Sequence, residues 1–383
     1  MILLKPTVTL PCFLLRLFAL ALALGTTGVL ADAPNPAAMR HGYEYYQIGK
    51  LDAVRPAPTE QALMLMGGGA WPHQAFAWLA SKGGHGHFVI LRASGADGMQ
   101  KEFYQDVGGV ASVQTLVFHD RKAASDPNVL EIVRKADGIF IAGGDQANYV
   151  RFWKGTPLNV LLDQHVAAGK PIGGTSAGLA ILGGYAYGAL DGGSIVSDQA
   201  LRDPLGKGVT LVDGFLHLPY LQQVITDTHF GARGRLGRLI AFVARLRHDG
   251  HPDAMGLGVD QDAALCVDSH GVGRLFTLKS GFAWLVRPTS QPGRMVPGQP
   301  LDYRGVRVTG VGTHSLIDMH DFSVQRPAFE KIADVQAGKL ALRGEVLPLQ
   351  VIRGAVQGRS VADGTSQVAI HREGWLALPA PTP

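Results

Sequence analysis

The chain has 383 residues, 17% of them charged, a formal net charge of +4 at pH 7 and 50 glycines. So small a positive excess, with no basic run interleaved with aromatic residues, does not indicate a nucleic-acid-binding protein. About 350 residues remain after a short leader, enough for one large or two modest domains with a sizeable hydrophobic core.

The N-terminus has the pattern of an export signal. Lys5 precedes an apolar run at 14–24, and Val29 and Ala31 supply the small residues that a signal peptidase reads. The apolar run is shorter than the roughly 20 residues that span a bilayer. We predict a signal peptide at 1–31, a periplasmic or secreted mature protein, and no membrane partner once the signal is removed. Of the two cysteines, only Cys266 would then remain, which excludes a disulfide within the mature chain.

Residues 32–58 are rich in proline and alanine and indicate a lead-in segment. From residue 59, short apolar runs alternate with amphipathic stretches, and most of the runs end in glycine-rich turns. We predict strands at 62–66, 88–91, 113–118 and 138–142, and helices around 72–82, 99–107 and 127–136. This alternation is typical of a parallel sheet covered on both faces, and ligands bind beyond the carboxyl ends of such strands.

After about residue 270 the character of the chain changes. Predicted strands at 272–278, 282–286 and 306–309 are joined by connections rich in proline and glycine, and only 327–337 has helical spacing. We therefore predict an α/β domain at 59–270 and a β-rich C-terminal extension at 271–383. The extension either packs on the α/β domain or forms a small second domain.

A candidate nucleophile lies in Gly174-Thr175-Ser176-Ala177-Gly178, which fits the pattern G-x-S-x-G. A short predicted strand precedes it and a predicted helix follows it, as in a nucleophile elbow that exposes the serine hydroxyl. The backbone N–H of Ala177 is then a natural donor to an oxyanion. The alternative is a glycine-rich turn with a buried serine.

A second signal lies at 227–238, where a histidine is followed by three arginines. His229, Arg233, Arg235 and Arg238 fall near the start of a predicted helix. Cations there oppose the helix dipole by a few tenths of a kcal/mol each, so a bound anion such as a substrate carboxylate would relieve them. The alternative is a solvated basic face. The histidines at 85 and 87 have no further ligand at metal-binding spacing, so we predict no metal site.

These segments resemble the cyanophycinases and the related aspartyl dipeptidases. The family's G-T-S-A-G elbow stands at 174–178, its D-x-H-F-x-x-R-x-R-x-G-R-L segment at 227–239, and its G-G-D-Q turn at 143–146. The resemblance covers roughly residues 60–270. It implies a flavodoxin-like α/β sandwich, a parallel sheet shared with class I glutamine amidotransferases, with no cofactor.

The resemblance also implies roles for the site residues. Ser176 would attack an amide carbonyl, and His229 would take the hydroxyl proton and pass it to the leaving amine. Gly144 and Ala177 would donate N–H groups to the oxyanion. The substrate pocket would be lined by Gln146, Asp227, Arg233, Arg235 and Arg238.

This chain departs from the family where a glutamate is usual, because Gln261 stands at that position in Gly258-Val259-Asp260-Gln261-Asp262. Glutamine can orient an imidazole but cannot stabilise the imidazolium by charge. Asp191, Asp260 and Asp262 are alternative third members, and we favour Asp191. A second departure is Thr228, where cyanophycinases have glutamine, which weakens the expectation of cyanophycin itself as substrate.

We therefore expect an exported serine peptidase that cleaves aspartyl or β-aspartyl amide bonds through an acyl-enzyme. Its partners would be a peptide substrate with anionic groups, no nucleic acid and, as one option, a second copy in a homodimer. The main alternative is an inactive or weakly active relative that binds aspartyl peptides. An amidotransferase-like enzyme would need cysteine at position 176, and a structural envelope protein would leave segment 227–238 unexplained.

Overall fold

The structure is a computed structural model that describes residues 42–95, 99–293 and 295–344. The predicted signal peptide at 1–31 lies outside the described residues, as do the start of the lead-in segment and residues 345–383.

Strands dominate the described residues. In chain order they are β1 Tyr43–Gly49, β2 Leu63–Met66, β3 His87–Arg92, β4 Ser112–Phe118, β5 Gly138–Ile141, β6 Ile172–Thr175, β7 Tyr185–Tyr187, β8 Leu211–Asp213, β9 Val224–Asp227, β10 Met255–Val259, β11 Ala263–Val267, β12 Val272–Thr277, β13 Ala283–Pro288, β14 Tyr303–Val311, β15 Leu316–Asp318, β16 Ser323–Gln325, β17 Phe329–Gln336 and β18 Lys339–Arg343.

The helices connect these strands. They are α1 His73–Lys82, α2 Met99–Lys101, α3 Pro127–Lys135, α4 Gln146–Trp153, α5 Pro157–Ala167, α6 Ala177–Ala180, α7 Ser197–Arg202 and α8 Leu236–His248, with a π-helical stretch at Glu102–Val107 and a 3-10 turn at Lys122–Ser125.

The first sheet has ten strands in the order β1-β4-β3-β5-β6-β2-β11-β12-β15-β16. Five of them, β4, β3, β5, β6 and β2, are parallel. The predicted parallel sheet is therefore confirmed for this central part. Antiparallel strands extend it on both sides, with β1 next to β4 and β11 next to β2, so the whole sheet is mixed.

Both faces of the parallel part are covered, as the alternation along β2 illustrates. Leu63 and Leu65 pack in one core cluster, whereas Met64 and Met66 pack in another with aromatic residues of α1. All four side chains are buried. Since successive side chains of a strand point to opposite faces, a continuous apolar run is what a strand buried on both faces requires.

The second sheet has eight strands in the order β18-β17-β14-β13-β10-β9-β7-β8. Strands from residue 272 onward enter both sheets: β12, β15 and β16 extend the first, and β13, β14, β17 and β18 extend the second. The helical spacing at 327–337 gave a wrong prediction, because β17 is a strand paired with β14. Pairing and packing override a weak local pattern.

The helix predicted after Ser176 is shorter than expected. α6 is a single turn, because the chain reaches Gly183 and Gly184 and then enters β7. The N–H of Gly184 donates to Leu221 O at 2.7 Å and turns the chain toward the second sheet. One turn contributes little dipole, so the individual N–H groups matter more here than the helix as a whole.

Candidate active site

The last residue of β2 and the glycine turn that follows it (residues 67–69, the β2 turn) hold the three segments that form the candidate site. The carbonyl of Met66 accepts from Ser176 N at 3.2 Å, that of Gly67 from His229 N at 2.7 Å, and that of Gly68 from Asp262 N at 2.7 Å. Successive carbonyls of residues 66–68 therefore fix the relative positions of three distant parts of the sequence.

The β2 turn has to consist of glycine. A Cβ on Gly67 would lie 2.0 Å from Asp260 O, one on Gly68 2.4 Å from His229 Nε2, and one on Gly69 2.1 Å from Asp262 Oδ1. Sequence reasoning noted these glycines only as the end of a strand. Three consecutive glycines at the carboxyl end of a strand, where ligands bind in such sheets, could have indicated that other chain segments pack closely against this turn.

Ser176 has the strained backbone of a nucleophile elbow. Its φ of 53° and ψ of −119° lie where side chains are rarely found. The flanking glycines make the turn possible, because a Cβ on Gly178 would lie 2.1 Å from Ile141 O and one on Gly174 2.8 Å from Gly178 O. The hydroxyl is thereby held at the carboxyl end of β6.

Ser176, His229 and Gln261 form a continuous hydrogen-bond chain. Ser176 Oγ lies 2.9 Å from His229 Nε2, and His229 Nδ1 lies 3.0 Å from Gln261 Oε1. Because an amide oxygen only accepts, Nδ1 carries the proton and Nε2 is free to accept from the serine hydroxyl. This is the tautomer that a general base needs.

The pKa of His229 is lowered from its ordinary value. Burial is the main cause, and the positive charges of Arg233 and Arg235 add to it, whereas the hydrogen bond with Gln261 acts in the opposite direction. The imidazole is therefore neutral near pH 7 and able to take a proton.

The group that orients His229 differs from the one we favoured. Asp191 is exposed, in a loop where it lines an open cavity of about 350 Å³ with Gly192, Ser194 and Gln199, and it makes no contact with the imidazole. Gln261 occupies the position at Nδ1 instead. This corrects the expectation for Asp191, and the reason is that Gln261 follows β10, directly beside β9 and His229.

The two aspartates beside Gln261 have structural partners. Asp260 accepts from Gly231 N at 2.7 Å, from Phe282 N at 3.0 Å and from Trp284 Nε1 at 3.0 Å. Asp262 accepts from Ala70 N at 2.8 Å and pairs with Lys279 at 2.9 Å. Both carboxylates anchor the backbone on either side of Gln261.

Two of the predicted pocket residues form a buried ion pair. Arg238 donates to both carboxylate oxygens of Asp227, at 2.7 Å and 2.5 Å, and both side chains are at most 3% exposed. Its remaining nitrogen donates to Ser194 Oγ and Ile195 O. The structure thus corrects the expectation that Asp227 and Arg238 line the pocket, since each is enclosed and occupied by the other.

The other two arginines are better placed for an anion. Arg233 is exposed, and its side chain makes no hydrogen bond or ion pair within the described residues. Arg235 is buried, and one of its nitrogens donates to Thr228 O and Thr228 Oγ1 and lies 3.5 Å from Asp227 Oδ1. Its other two nitrogens have no partner in the described ranges. Burial, and then the charge of Arg238, lower its pKa to about 10, so it stays charged at neutral pH.

The predicted oxyanion donors Gly144 and Ala177 lie next in sequence to Gly143, which contacts the serine, and to the serine itself. A Cβ on Gly143 would be 3.3 Å from Ser176 Cβ, so the turn that contains Gly144 touches the nucleophile. Gln146 follows in this turn, half-buried, and its amide donates to Tyr187 O at 2.5 Å, which leaves the amide oxygen available. Ala177 begins α6.

Metal and membrane features are lacking in the part of the chain that the structure describes. No group of three or more His, Cys, Asp and Glu side chains there is arranged to hold a metal ion. Likewise, no helix of the described ranges is both long and apolar enough to cross a membrane.

The chain is similar to several curated proteins that are named cyanophycinase. The cyanophycinases of Synechococcus elongatus and Thermosynechococcus vestitus are each 34% identical over 204 residues, which is 52% of this chain and 58% of theirs. The chain therefore spans less than two thirds of these relatives. The cyanophycinase of Trichormus variabilis is 27% identical over 282 residues, 67% of this chain and 84% of that protein.

Two solved structures are also similar. A peptidase from an acI-B1 Actinobacterium has 15% identity and a TM-score of 0.45, covering 68% of this chain and 97% of its own. A protein from Listeria monocytogenes EGD-e, named a putative peptidase E, has 18% identity and a TM-score of 0.35, covering 57% of this chain and 99% of its own.

Residues 98–231 match the model of peptidase family S51. The matched segment contains both Ser176 and His229, which the structure brings into hydrogen-bond contact. The chain therefore contains a segment that matches peptidase family S51, and it is similar to the cyanophycinases over a larger part of its length.

Proposed function

We propose that this protein is a serine peptidase that hydrolyses amide bonds through an acyl-enzyme. The observation that carries the proposal is the chain of hydrogen bonds from Ser176 through His229 to Gln261, starting from a serine held in a strained turn. A strained backbone that aims a serine at a neutral imidazole serves nucleophilic catalysis and has no evident structural use.

In the first half of the reaction, Ser176 Oγ attacks the amide carbonyl carbon while His229 Nε2 takes the hydroxyl proton. The carbonyl oxygen becomes an oxyanion, and the N–H groups of Gly144 and Ala177 stabilise it. The carbon–nitrogen bond then breaks, and the imidazolium gives its proton to the leaving amine.

In the second half, water attacks the ester that links the acyl group to Ser176. His229 takes a proton from this water, and the collapse of the second oxyanion breaks the ester bond. The proton returns to Ser176 Oγ, so the products are a carboxylate, the amine already released and the unchanged enzyme. Gln261 keeps the imidazole in one tautomer through both halves.

We propose an anionic substrate, with aspartyl or β-aspartyl amide bonds as its class. Arg233 and the free side of Arg235 interact electrostatically with His229, so a substrate carboxylate bound by them would lie near the reacting bond. The curated relatives carry the name cyanophycinase, which supports the same class.

The main rival is a relative that binds such peptides and does not cleave them. The observation in its favour is Gln261, because an amide does not stabilise the imidazolium by charge. Reaction of Ser176 with a fluorophosphonate in the native protein, and not in the unfolded protein, would exclude this rival.

The first prediction concerns the nucleophile. Purified protein should hydrolyse at least one of a β-Asp–Arg dipeptide, short cyanophycin or an α-aspartyl dipeptide, and Ser176→Ala should lower kcat by about 10⁴-fold or more. Equal turnover by wild type and Ser176→Ala would show that the activity does not depend on this serine.

The second prediction concerns pH. His229 must be neutral to act as base and its pKa is lowered, so the acidic limb of kcat/KM should have an apparent pKa below 6.5. Activity is thus retained as pH falls to that value and lost below it. Gln261→Glu should move the limb upward by about one unit or more, because a carboxylate stabilises the imidazolium.

A matched control for this charge change is Gln164→Glu, at an exposed position near the end of α5. Because α5 leads into the amino end of β6, Gln164 lies toward the end of the sheet opposite to Ser176. It should leave the acidic limb in place. An unchanged limb in Gln261→Glu itself would mean that Gln261 does not contact His229 in the working protein.

The third prediction tests carboxylate binding. Arg233→Ala should raise KM about 10- to 100-fold for a substrate with a free carboxylate beside the scissile bond, because a charge-assisted hydrogen bond contributes about 1.5–3 kcal/mol. The same substrate with this carboxylate amidated should be nearly unaffected. Arg134→Ala, which removes an exposed arginine of α3 paired with Glu131, is the control. Equal effects on both substrates would rule out the assignment.

We also propose that the protein acts outside the cytoplasm, on the basis of the signal pattern at 1–31. When the full chain is produced in a Gram-negative host, the mature protein should begin at Asp32 and appear in the periplasmic or extracellular fraction. Full-length protein that stays in the cytoplasmic fraction would contradict export.

A further inference from the structure

The turn after β5, residues 142–145, contacts Ser176 and has N–H groups without a hydrogen-bond acceptor. It lies on one side of β6, and the β2 turn that binds His229 lies on the other side. In the described residues, the N–H groups of Gly143 and Gly144 have no hydrogen-bond acceptor, and neither does that of Ala177. Gly144 has a φ of 152°, within the range that favours glycine. Free backbone donors beside a serine hydroxyl are what an oxyanion needs.

Two consecutive glycines would make this turn flexible unless something held it. Neither residue has a side chain to restrict rotation, and a rotated peptide would direct its N–H away from the serine. A preorganised oxyanion site therefore requires fixed points on either side of the glycines.

Ser94, two residues after β3, supplies one fixed point. Its Oγ accepts from Asp145 N at 2.7 Å, which holds the peptide between Gly144 and Asp145. It also packs against Gly144 itself, since a Cβ on that glycine would lie 2.1 Å from Ser94 Oγ. The hydroxyl thus engages the N–H next in sequence and leaves that of Gly144 unpaired.

Two side chains of α4 complete the support. Tyr149, fully buried, donates its hydroxyl to Ala142 O at 2.7 Å, on the other side of the glycine pair. Asn148 donates to Ala93 O at 3.0 Å and so fixes the residue before Ser94. The glycine pair is clamped at both ends, and Ser94 provides the clamp nearer to Gly144.

We propose that Ser94 is a positioning residue that sets the direction of the Gly144 N–H toward the oxyanion. This inference rests on the proposed serine peptidase function. Because Ser94 acts through the turn, we expect it to stabilise the transition state, in which the oxyanion charge develops. It should have little effect on the binding of the uncharged amide.

The test compares Ser94→Ala, which removes the acceptor, with Ser94→Thr, which keeps a hydroxyl. Ser81→Ala is the matched control, because Ser81 Oγ donates to Trp78 O on the exposed side of α1. For each variant we would measure kcat and KM on the best substrate, the rate constant for labelling of Ser176 by a fluorophosphonate, and the melting temperature.

We expect Ser94→Ala to lower kcat and the labelling rate by about 10- to 100-fold, less than the loss of an oxyanion donor itself, with KM changed by less than about threefold. Ser94→Thr should recover most of both rates, and Ser81→Ala should match wild type. The labelling rate is informative because the phosphonyl oxygen also needs the oxyanion donors.

Three results would overturn the inference. A kcat of Ser94→Ala within about twofold of wild type would mean that the turn holds its shape without Ser94. A raised KM with unchanged kcat would indicate a substrate contact. Equal losses in Ser94→Thr and Ser94→Ala would mean that the hydroxyl is not responsible. By contrast, wild-type protein that neither turns over nor labels would refute the proposed function, and this inference with it.

Discussion

The candidate site depends on the backbone of the β2 turn more than on any side-chain pair. Carbonyls of Met66, Gly67 and Gly68 receive one hydrogen bond each from the segments that carry Ser176, His229 and Gln261. Those segments are far apart in sequence, and the absence of side chains in the β2 turn lets the His229 segment and residues 260–262 approach closely. The relative positions of these segments are therefore set by main-chain hydrogen bonds.

The charged side chains of the site differ in how far they are enclosed: Asp227, Arg235 and Arg238 are buried together, whereas Arg233 is exposed. The ion pair between Asp227 and Arg238 links β9 to α8 and thereby stabilises the segment that carries His229. Removal of either partner would leave an uncompensated buried charge, which is strongly destabilising. Arg233 and the outer nitrogens of Arg235 keep their charge for a ligand. Arg235 thus contributes both to the buried ion-pair cluster around Asp227 and to the charge that faces the proposed substrate.

Much of this was predictable from local patterns, and the remainder needed three-dimensional information. The strands at 62–66, 88–91, 113–118 and 138–142 match β2 to β5 because buried strands need continuous apolar runs. Ser176 and His229 lie in short sequence motifs that indicate their chemistry without reference to the rest of the chain. The pairing of β17, the inward direction of Arg238 and the contact between Gln261 and His229 depend on neighbours far away in sequence. Ser94 could not be identified at all, because a lone serine after a strand has no distinctive pattern.

The strands after residue 270 also reach the reaction centre. Asp260 is held by the backbone of Phe282 and the indole of Trp284, and Asp262 by Lys279, and these two aspartates bracket Gln261. A chain shortened to residues 98–231, the segment that matches family S51, would contain neither these anchors nor Gln261, so His229 Nδ1 would lose its hydrogen-bond partner. The strands after residue 270 are therefore part of the structure that supports the candidate site.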